Sequence, residues 1–488
     1  MNKSETMQEV KKPSFGISLL IILFLAAILV IQIIVMGSPN IRMTLIAATA
    51  FAGLLLMLTG TKWKTIEEGI LHGCSIAAMP NVIMILIGML IPTWIASGGI
   101  PALIYYGLEI INPKFFIVTV ALVCSIASLA TGSSYTTGAT FGVAFIGISM
   151  GMGIPVAITA GAVISGAIIG DKLSPLSDST NLAAGVCETP LFDHIKSMMF
   201  TTIPAFVISC ALYAIIGAKY SVDNVDSETV ALLLKGISEN FNITPVYALI
   251  GVIPMILVIV LGIKRVNAVV TMIIAGTAGL VIAMVFQHHA LIEMLGFMDS
   301  GYVMNSGIEV VDKLLSRGGI QSMMWTVSVA ILGMTYGGVL EKTGVLEVLL
   351  NKMSAVTKTP RGLITTHVLS AIVVNLLSAS QYVAILIPGR MFLPAYKKLG
   401  LKLNVASRTC EDAATVTSPL VPWGLCGVYF TGVLGVSTVA YLPYTFLALI
   451  VPCIAIIYAF TGLFIELSAS ARKEKLSLSI SSSGYIAS

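Results

Sequence analysis

The chain has 488 residues, of which 57% are apolar and only 10% charged, with a net charge of +4. An average soluble domain carries about 25% charged residues, so this chain lacks the charge to cover a water-facing surface of its size. A soluble enzyme, a disordered chain and a nucleic-acid binder are excluded, and an integral membrane protein remains.

A helix needs about 20 apolar residues to cross the hydrocarbon core. The first such run is Phe15–Met36, behind a polar start with Lys3, Lys11 and Lys12. No small-residue cleavage site follows, so it reads as a retained helix. Ile41–Leu58, Cys74–Ala96, Phe115–Ala130, Ile154–Ile169 and Met198–Ala218 come next. A polar stretch precedes Thr244–Ile263, Val266–Phe286, Ser322–Leu340, Leu363–Leu377, Leu403–Leu420 and Tyr441–Phe464. Ala139–Ile148 and Tyr382–Leu393 are too short to cross alone and suit re-entrant or broken segments. The fold class is all-α, a polytopic membrane protein of about 11–13 transmembrane helices.

Basic residues mark cytoplasmic loops. Lys3, Lys11 and Lys12 place the N-terminus inside, and Arg472, Lys473 and Lys475 place the C-terminus there too. Lys264-Arg265 and the stretch 342–361 read as further inside loops, and the loop with Asp223, Asp226 and Glu228 as an outside one. The seven cysteines form no C-x-x-C pair and read as small buried hydrophobes, without a disulfide framework or metal site.

The chain divides into two halves that resemble each other. Gly73, Gly88-Met89 and Gly99 recur 245 positions on as Gly318, Gly333-Met334 and Gly344. Ser174-Pro175-Leu176 recurs as Ser418-Pro419-Leu420, and Gly132-Ser133-Ser134-Tyr135 falls near Ser378-Ala379-Ser380-Gln381-Tyr382. The organisation read from this is a cytoplasmic segment 1–14, a first repeat 15–220, a loop 221–243, a second repeat 244–466 and a cytoplasmic tail 467–488. The loop 342–361 is basic where its counterpart, 99–113, is not, as expected of inverted repeats. Broken helices of both halves would then meet near the midplane.

Two polar stretches inside apolar surroundings carry the chemistry. In the first, Asp171, Ser174, Asp178, Thr180 and Asn181 flank Pro175, which disrupts the preceding turn and frees carbonyls. Oxygen ligands of this kind suit sodium, a hard ion, and Asp171 and Asp178 could carry it or a proton. Asp178 and Asn181 are also ordinary capping residues for the next helix. The second stretch repeats the pattern with Glu411, Asp412, Thr415, Thr417 and Ser418 before Pro419. Asp412 completes the set of Na⁺ candidates. Thr136 and Thr137 belong to a hydroxyl-rich run, 131–140, that reads as an unwound hairpin tip. Arg390, a charge in an apolar stretch, either binds an anionic substrate or pairs with Glu411 or Asp412. Lys172 reads as an ion partner of neighbouring Asp171 or as a snorkelling residue, and the five histidines as solvated or packed. With no G-x-x-x-x-G-K-[ST] phosphate loop and no T-V-G-Y-G filter, transport driven by an ion gradient is the remaining mechanism, with a passive channel the less favoured class.

These motifs resemble those of a known family. The run from Gly170 to Asn181 is similar to the first signature of NhaC-type sodium/proton antiporters. Gln381-Tyr382 with Pro388-Gly389-Arg390 resembles a second, and the run from Arg408 to Trp423 a third. The resemblance covers nearly the whole chain. It implies a secondary transporter of the bacterial inner membrane that exchanges Na⁺ for H⁺, without a cofactor. The same superfamily includes a branch exchanging malate and protons for lactate and sodium, so a small carboxylate is the alternative substrate. A homodimer is plausible by family analogy alone. The chain departs from the family pattern at Ser380, where an acid is common, and at Gly424-Leu425, where Asn-Thr is common.

Overall fold

The computed structural model describes residues 12–36, 40–220, 227–353 and 358–467. Lys3, Lys11, Asp223, Asp226, Arg472, Lys473 and Lys475 lie outside them. The described chain is helical, apart from one isolated bridge between Leu401 and Leu467. Ten of its helices are long and apolar enough to cross a membrane, or eleven if Leu425–Leu434 and Thr438–Tyr444, bent by 92°, form one span. The sequence count is higher because Leu403–Leu420 and Tyr441–Phe464 are not continuous helices. The first breaks at Ser418-Pro419 and the second at Leu442–Tyr444.

The longest helix, Trp63–Ala96, starts well before the expected Cys74. Its first turns are amphipathic: Ile66, Gly69 and Gly73 are buried while Glu67 and Glu68 are exposed, so a window for uniform apolarity passes over them. This helix lies against Ile320–Lys342 with almost no side chain between the backbones. A Cβ at Gly73 would fall 2.1 Å from the Met334 carbonyl oxygen, and one at Gly338 would fall 2.3 Å from that of Gly69. Small residues bring helices this close in lipid, where dispersion contacts replace the missing hydrophobic drive.

The two polar regions are each a hairpin set against a broken helix. The first hairpin runs through Pro113–Thr131, turns at Gly132 (φ +69°) and restarts at Ser134 behind the N-cap Ser133. The second runs through Pro360–Ser378, turns at Ala379 (φ +58°) and restarts at Gln381 behind the N-cap Ser380. A left-handed residue ends each first arm, and a serine hydroxyl accepts from the first turn of the return arm. A Cβ at Gly132 would meet Leu176 of the first break at 2.6 Å. The Ala379 carbonyl accepts from Leu425 N at 3.0 Å, beside the second break.

The first broken helix is Val156–Leu173, interrupted at Ser174–Ser177 and resumed as Asp178–Val186. The second is Leu403–Cys410, followed by a wide π-helical turn at Glu411–Thr415 and a single 3₁₀ turn at Ser418–Leu420. Leu191–Gly217 packs beside both of them.

Candidate functional site

Charge collects where the two broken helices meet. Asp171 ends the first arm of one, and its carboxylate is held by the other side of the first hairpin tip. Ser134 N donates to its Oδ1 at 3.0 Å and the Ser134 hydroxyl donates to its Oδ2. Lys172 turns the opposite way. It is fully buried and bonds Asp412 Oδ1, also fully buried, on the second broken helix. Neither reading of Lys172 from sequence holds, because its partner stands 240 positions away. Thr201, from Leu191–Gly217, donates to the same Asp412 oxygen at 2.8 Å. Arg408, buried one turn before Asp412, brings its Nε to 4.0 Å from the other oxygen.

Glu411 is the least bonded of this group. It is fully buried, and neither of its carboxylate oxygens accepts a hydrogen bond. Lys172, Asp171 and Asp412 are all within its electrostatic reach. Thr415, four residues on, is its hydroxyl neighbour, yet no hydrogen bond of acceptable geometry joins them. The Thr137 hydroxyl, at the first hairpin tip, is likewise buried without a partner. Buried polar atoms of this kind are rare and point to an ion or water site.

The other expected site residues are hydrogen-bonded within the protein or stand apart from the buried cluster. Ser174 donates to Leu129 O at 2.9 Å. Thr136 N donates to the Ser133 hydroxyl at 3.2 Å. Thr417 donates to Ala413 O at 2.6 Å and accepts from Asn375 at 3.1 Å. Ser418 is buried beside Cys426. The carbonyls freed by Pro175 are already served. Thr180 donates to Asp171 O at 2.5 Å and to Lys172 O at 3.2 Å, and Ser179 donates to Asp171 O at 2.9 Å. Asn181 is exposed and donates to Pro175 O and Ser177 O at 3.0 and 2.7 Å. Asp178 is exposed in the first turn of its helix, where a carboxylate favours the helix dipole. Arg390 meets neither Glu411 nor Asp412. It is exposed and lines a surface groove with Asn181 and Lys397. The basic partner of Asp412 on its own segment is Arg408. The signal for it was its i, i+4 spacing from Asp412.

The two hairpin tips are bridged by Leu425–Leu434. Tyr135 stacks on Tyr429 with ring centroids 4.1 Å apart, and its hydroxyl lies 3.2 Å from Cys426 Sγ. Cys426 in turn lies 3.5 Å from Gln381 Oε1 of the second tip.

A family model described as the Na⁺/H⁺ antiporter family matches residues 7–180 and 166–463. The chain belongs to the Na⁺/H⁺ antiporter family. Its similarity to the Na(+)/H(+) antiporter NhaC of Alkalihalophilus pseudofirmus is 35% identity over 457 residues, covering 93% of this chain and 97% of that one. To NhaC of Bacillus subtilis it is 36% over 457 residues, covering 93% and 99%. To the Malate-2H(+)/Na(+)-lactate antiporter of Bacillus subtilis it is 36% over 460 residues, covering 94% and 97%. As a member of the Na⁺/H⁺ antiporter family this is a multi-pass membrane protein and a transporter, not an enzyme.

Proposed function

We propose that this antiporter exchanges Na⁺ for H⁺ across the bacterial inner membrane, with both termini on the cytoplasmic side. The observation that carries this reading is a charge imbalance. Three buried carboxyl groups, Asp171, Glu411 and Asp412, face two buried cations, Lys172 and Arg408. Leaving a net charge unpaired in a low-dielectric interior costs several kcal/mol. With all five groups ionised, the cluster carries one surplus negative charge. One monovalent cation or one proton cancels it, and the two cannot do so together. Competition for that single charge is what couples an outward ion to an inward proton.

Asp412 is engaged by Lys172 and Thr201, so the exchangeable cation falls to Asp171 and Glu411, with Thr415 and Thr137 supplying hydroxyl oxygens. Sodium suits such an all-oxygen set. The organic-acid alternative loses its anchor, because Arg390 is exposed and away from the buried cluster. A carboxylate substrate would also meet a surplus of negative charge there.

The same proposal treats 15–220 and 244–466 as inverted repeats. The shared turn conformations at Gly132-Ser133 and Ala379-Ser380 support it, as does the placing of each tip against a break. Alternating access then moves one hairpin and broken-helix unit against the glycine-packed pair Trp63–Ala96 and Ile320–Lys342.

The test is proton flux in proteoliposomes holding this protein alone under an imposed pH gradient. Na⁺ added by itself should collapse the gradient, and Asp171→Asn should abolish the response in protein that still inserts. A gradient that holds against Na⁺ and collapses only with malate or lactate would replace this reading with the organic-acid one.

A further inference from the structure

A cavity of about 340 Å³ opens between the start of Leu191–Gly217 and the start of Leu403–Cys410. Its rim carries Glu188, Asp193, Lys402 and Glu466, and its wall includes Ser197 and Asn404. Both wall residues sit one helical turn from the group that holds Asp412. Ser197 precedes Thr201 by four residues, and Asn404 precedes Arg408 by four. Residues i and i+4 stack on one helix face, and one turn rises about 5.4 Å. Only about one turn of each helix therefore separates the cavity from the buried carboxylate.

The intervening layer is polar and unsatisfied. His194 shares this helix face with Ser197 and Thr201, at spacings of three and seven; it lies behind the cavity wall, one turn before Ser197, beside the rim residue Asp193. It is fully buried, and neither ring nitrogen has a partner. Lys172 lies within its electrostatic reach. Asn404 Oδ1 and Asp412 Oδ2 accept no hydrogen bond either, although Arg408 Nε stands 4.0 Å from the latter. A row of such atoms leading from an open cavity to an ion pair makes poor sense as a dry core, where each would cost about 1–3 kcal/mol. It makes sense as the lining of a path for water and a small cation.

We propose that this cavity is the hydrated entrance through which the exchanged monovalent cation and proton reach the Asp412 cluster, that Ser197 and Asn404 line it, and that water from it reaches the buried His194 ring behind Ser197. The entrance rests on the cation-exchange reading for its cargo, but not for its existence. His194 stands behind that lining, and its buried ring, with no hydrogen-bond partner on either nitrogen, separates this route from a packed helix interface.

The test is thiol labelling in proteoliposomes by a membrane-impermeant, positively charged methanethiosulfonate, in a chain whose exposed Cys453 is replaced by Ser. Ser197→Cys, Asn404→Cys and His194→Cys are compared with Ser209→Cys. That control lies on the same helix, is buried, and is bonded back to Ala205 O at 2.7 Å. His194→Cys should react at a rate like that of Ser197→Cys, while Ser209→Cys stays unreactive. Modification of Ser197→Cys should also lower the Na⁺-driven proton flux by about tenfold or more relative to the same liposomes before treatment. The entrance is overturned if His194→Cys is as inert as Ser209→Cys. It is equally overturned if complete modification of Ser197→Cys leaves the flux unchanged. Rapid labelling of His194→Cys in a protein with no Na⁺-driven flux would uphold the entrance and overturn the sodium reading instead.

Discussion

Lys172 and Asp412 form a fully buried ion pair that joins the two broken helices across 240 residues of sequence. Each charge is tolerable there only because the other is present. Removing one partner of such a pair costs about 3–5 kcal/mol, whereas replacing both with apolar groups is often close to neutral. Lys172→Met should therefore lower unfolding stability in detergent by about 3–5 kcal/mol, and Lys172→Met with Asp412→Leu should recover most of that loss. Chemical denaturation of the two variants and the parent measures it. Equal destabilisation by the single and double changes would show that the pair does not act as a unit.

The glycine contact between Trp63–Ala96 and Ile320–Lys342 makes a sharper stability prediction. A methyl group at Gly73 would sit 2.1 Å from backbone oxygen, whereas one at Gly296 would meet nothing within 4 Å. Gly73→Ala should cost about 1–3 kcal/mol through overpacking. Gly296→Ala should be neutral or slightly stabilising, because alanine is the better helix former. Thermal unfolding midpoints of the two variants compare them directly.

Cys187 follows the resumed arm of the first break, and Cys410 precedes the π turn of the second. Their Sγ atoms lie 3.8 Å apart in a buried contact. A disulfide needs about 2.05 Å, so a small approach suffices. A membrane-permeant diazene oxidant would take two electrons and two protons from the thiols and leave one S–S bond. The cross-link should staple the two broken helices and lower exchange by about tenfold or more if they move relative to each other in transport. Cys187→Ser should be resistant, and a reductant should restore the oxidised parent. Thiol counting and proton flux on the same sample measure both effects.

Outside the spans, Asp312 shapes the loop before Ile320–Lys342. The Ser306 hydroxyl and then the Ser306 amide, both at 2.7 Å, hold its carboxyl below the usual carboxylate range. A depressed folded value means the stabilisation is complete above the unfolded pKa of about 3.9. It is lost as pH falls through the folded value. Hydrogen-exchange protection over 302–316, taken relative to the intrinsic rate at each pH, should fall on acidification below pH of about 4. Asp312→Asn should show low protection throughout and lose that fall.

The membrane-crossing helices were legible in the sequence because a run of apolar residues has one meaning in lipid. Phe15–Met36 and Ile41–Leu58 end where the apolarity ends. Several helices escaped notice, among them Ser227–Asn240 within the expected loop 221–243 and Val345–Met353 within the expected loop 342–361. Gly99–Ile110 and Leu425–Leu434 are short and glycine-bearing, and each is defined by the turn before it rather than by its own period. At the site, acids beside prolines marked both breaks, and Asp171, Glu411 and Asp412 do lie together. Their partners were not legible. Nothing local ties Lys172 to Asp412, or Thr201 to either, since these contacts exist only once three separate segments pack. Arg390 does not pair with Glu411 or Asp412: an arginine among apolar residues looks internal, whereas Gln381–Lys398 turns that face outward.

The hydroxyls of Ser179 and Thr180 bear on which cations this protein accepts. They cap the carbonyls at the Pro175 break, so a bound ion there depends on carboxylate oxygens rather than on a cage of backbone dipoles. A carboxylate is a strong-field ligand. Strong fields reward small ions, whose gain in coordination outruns the cost of stripping their water, while weak-field carbonyl cages suit larger ones. If the exchanged cation sits on Asp171 and Glu411, as proposed, it should be ranked by charge density: lithium should collapse the pH gradient alongside sodium, and potassium should leave it intact.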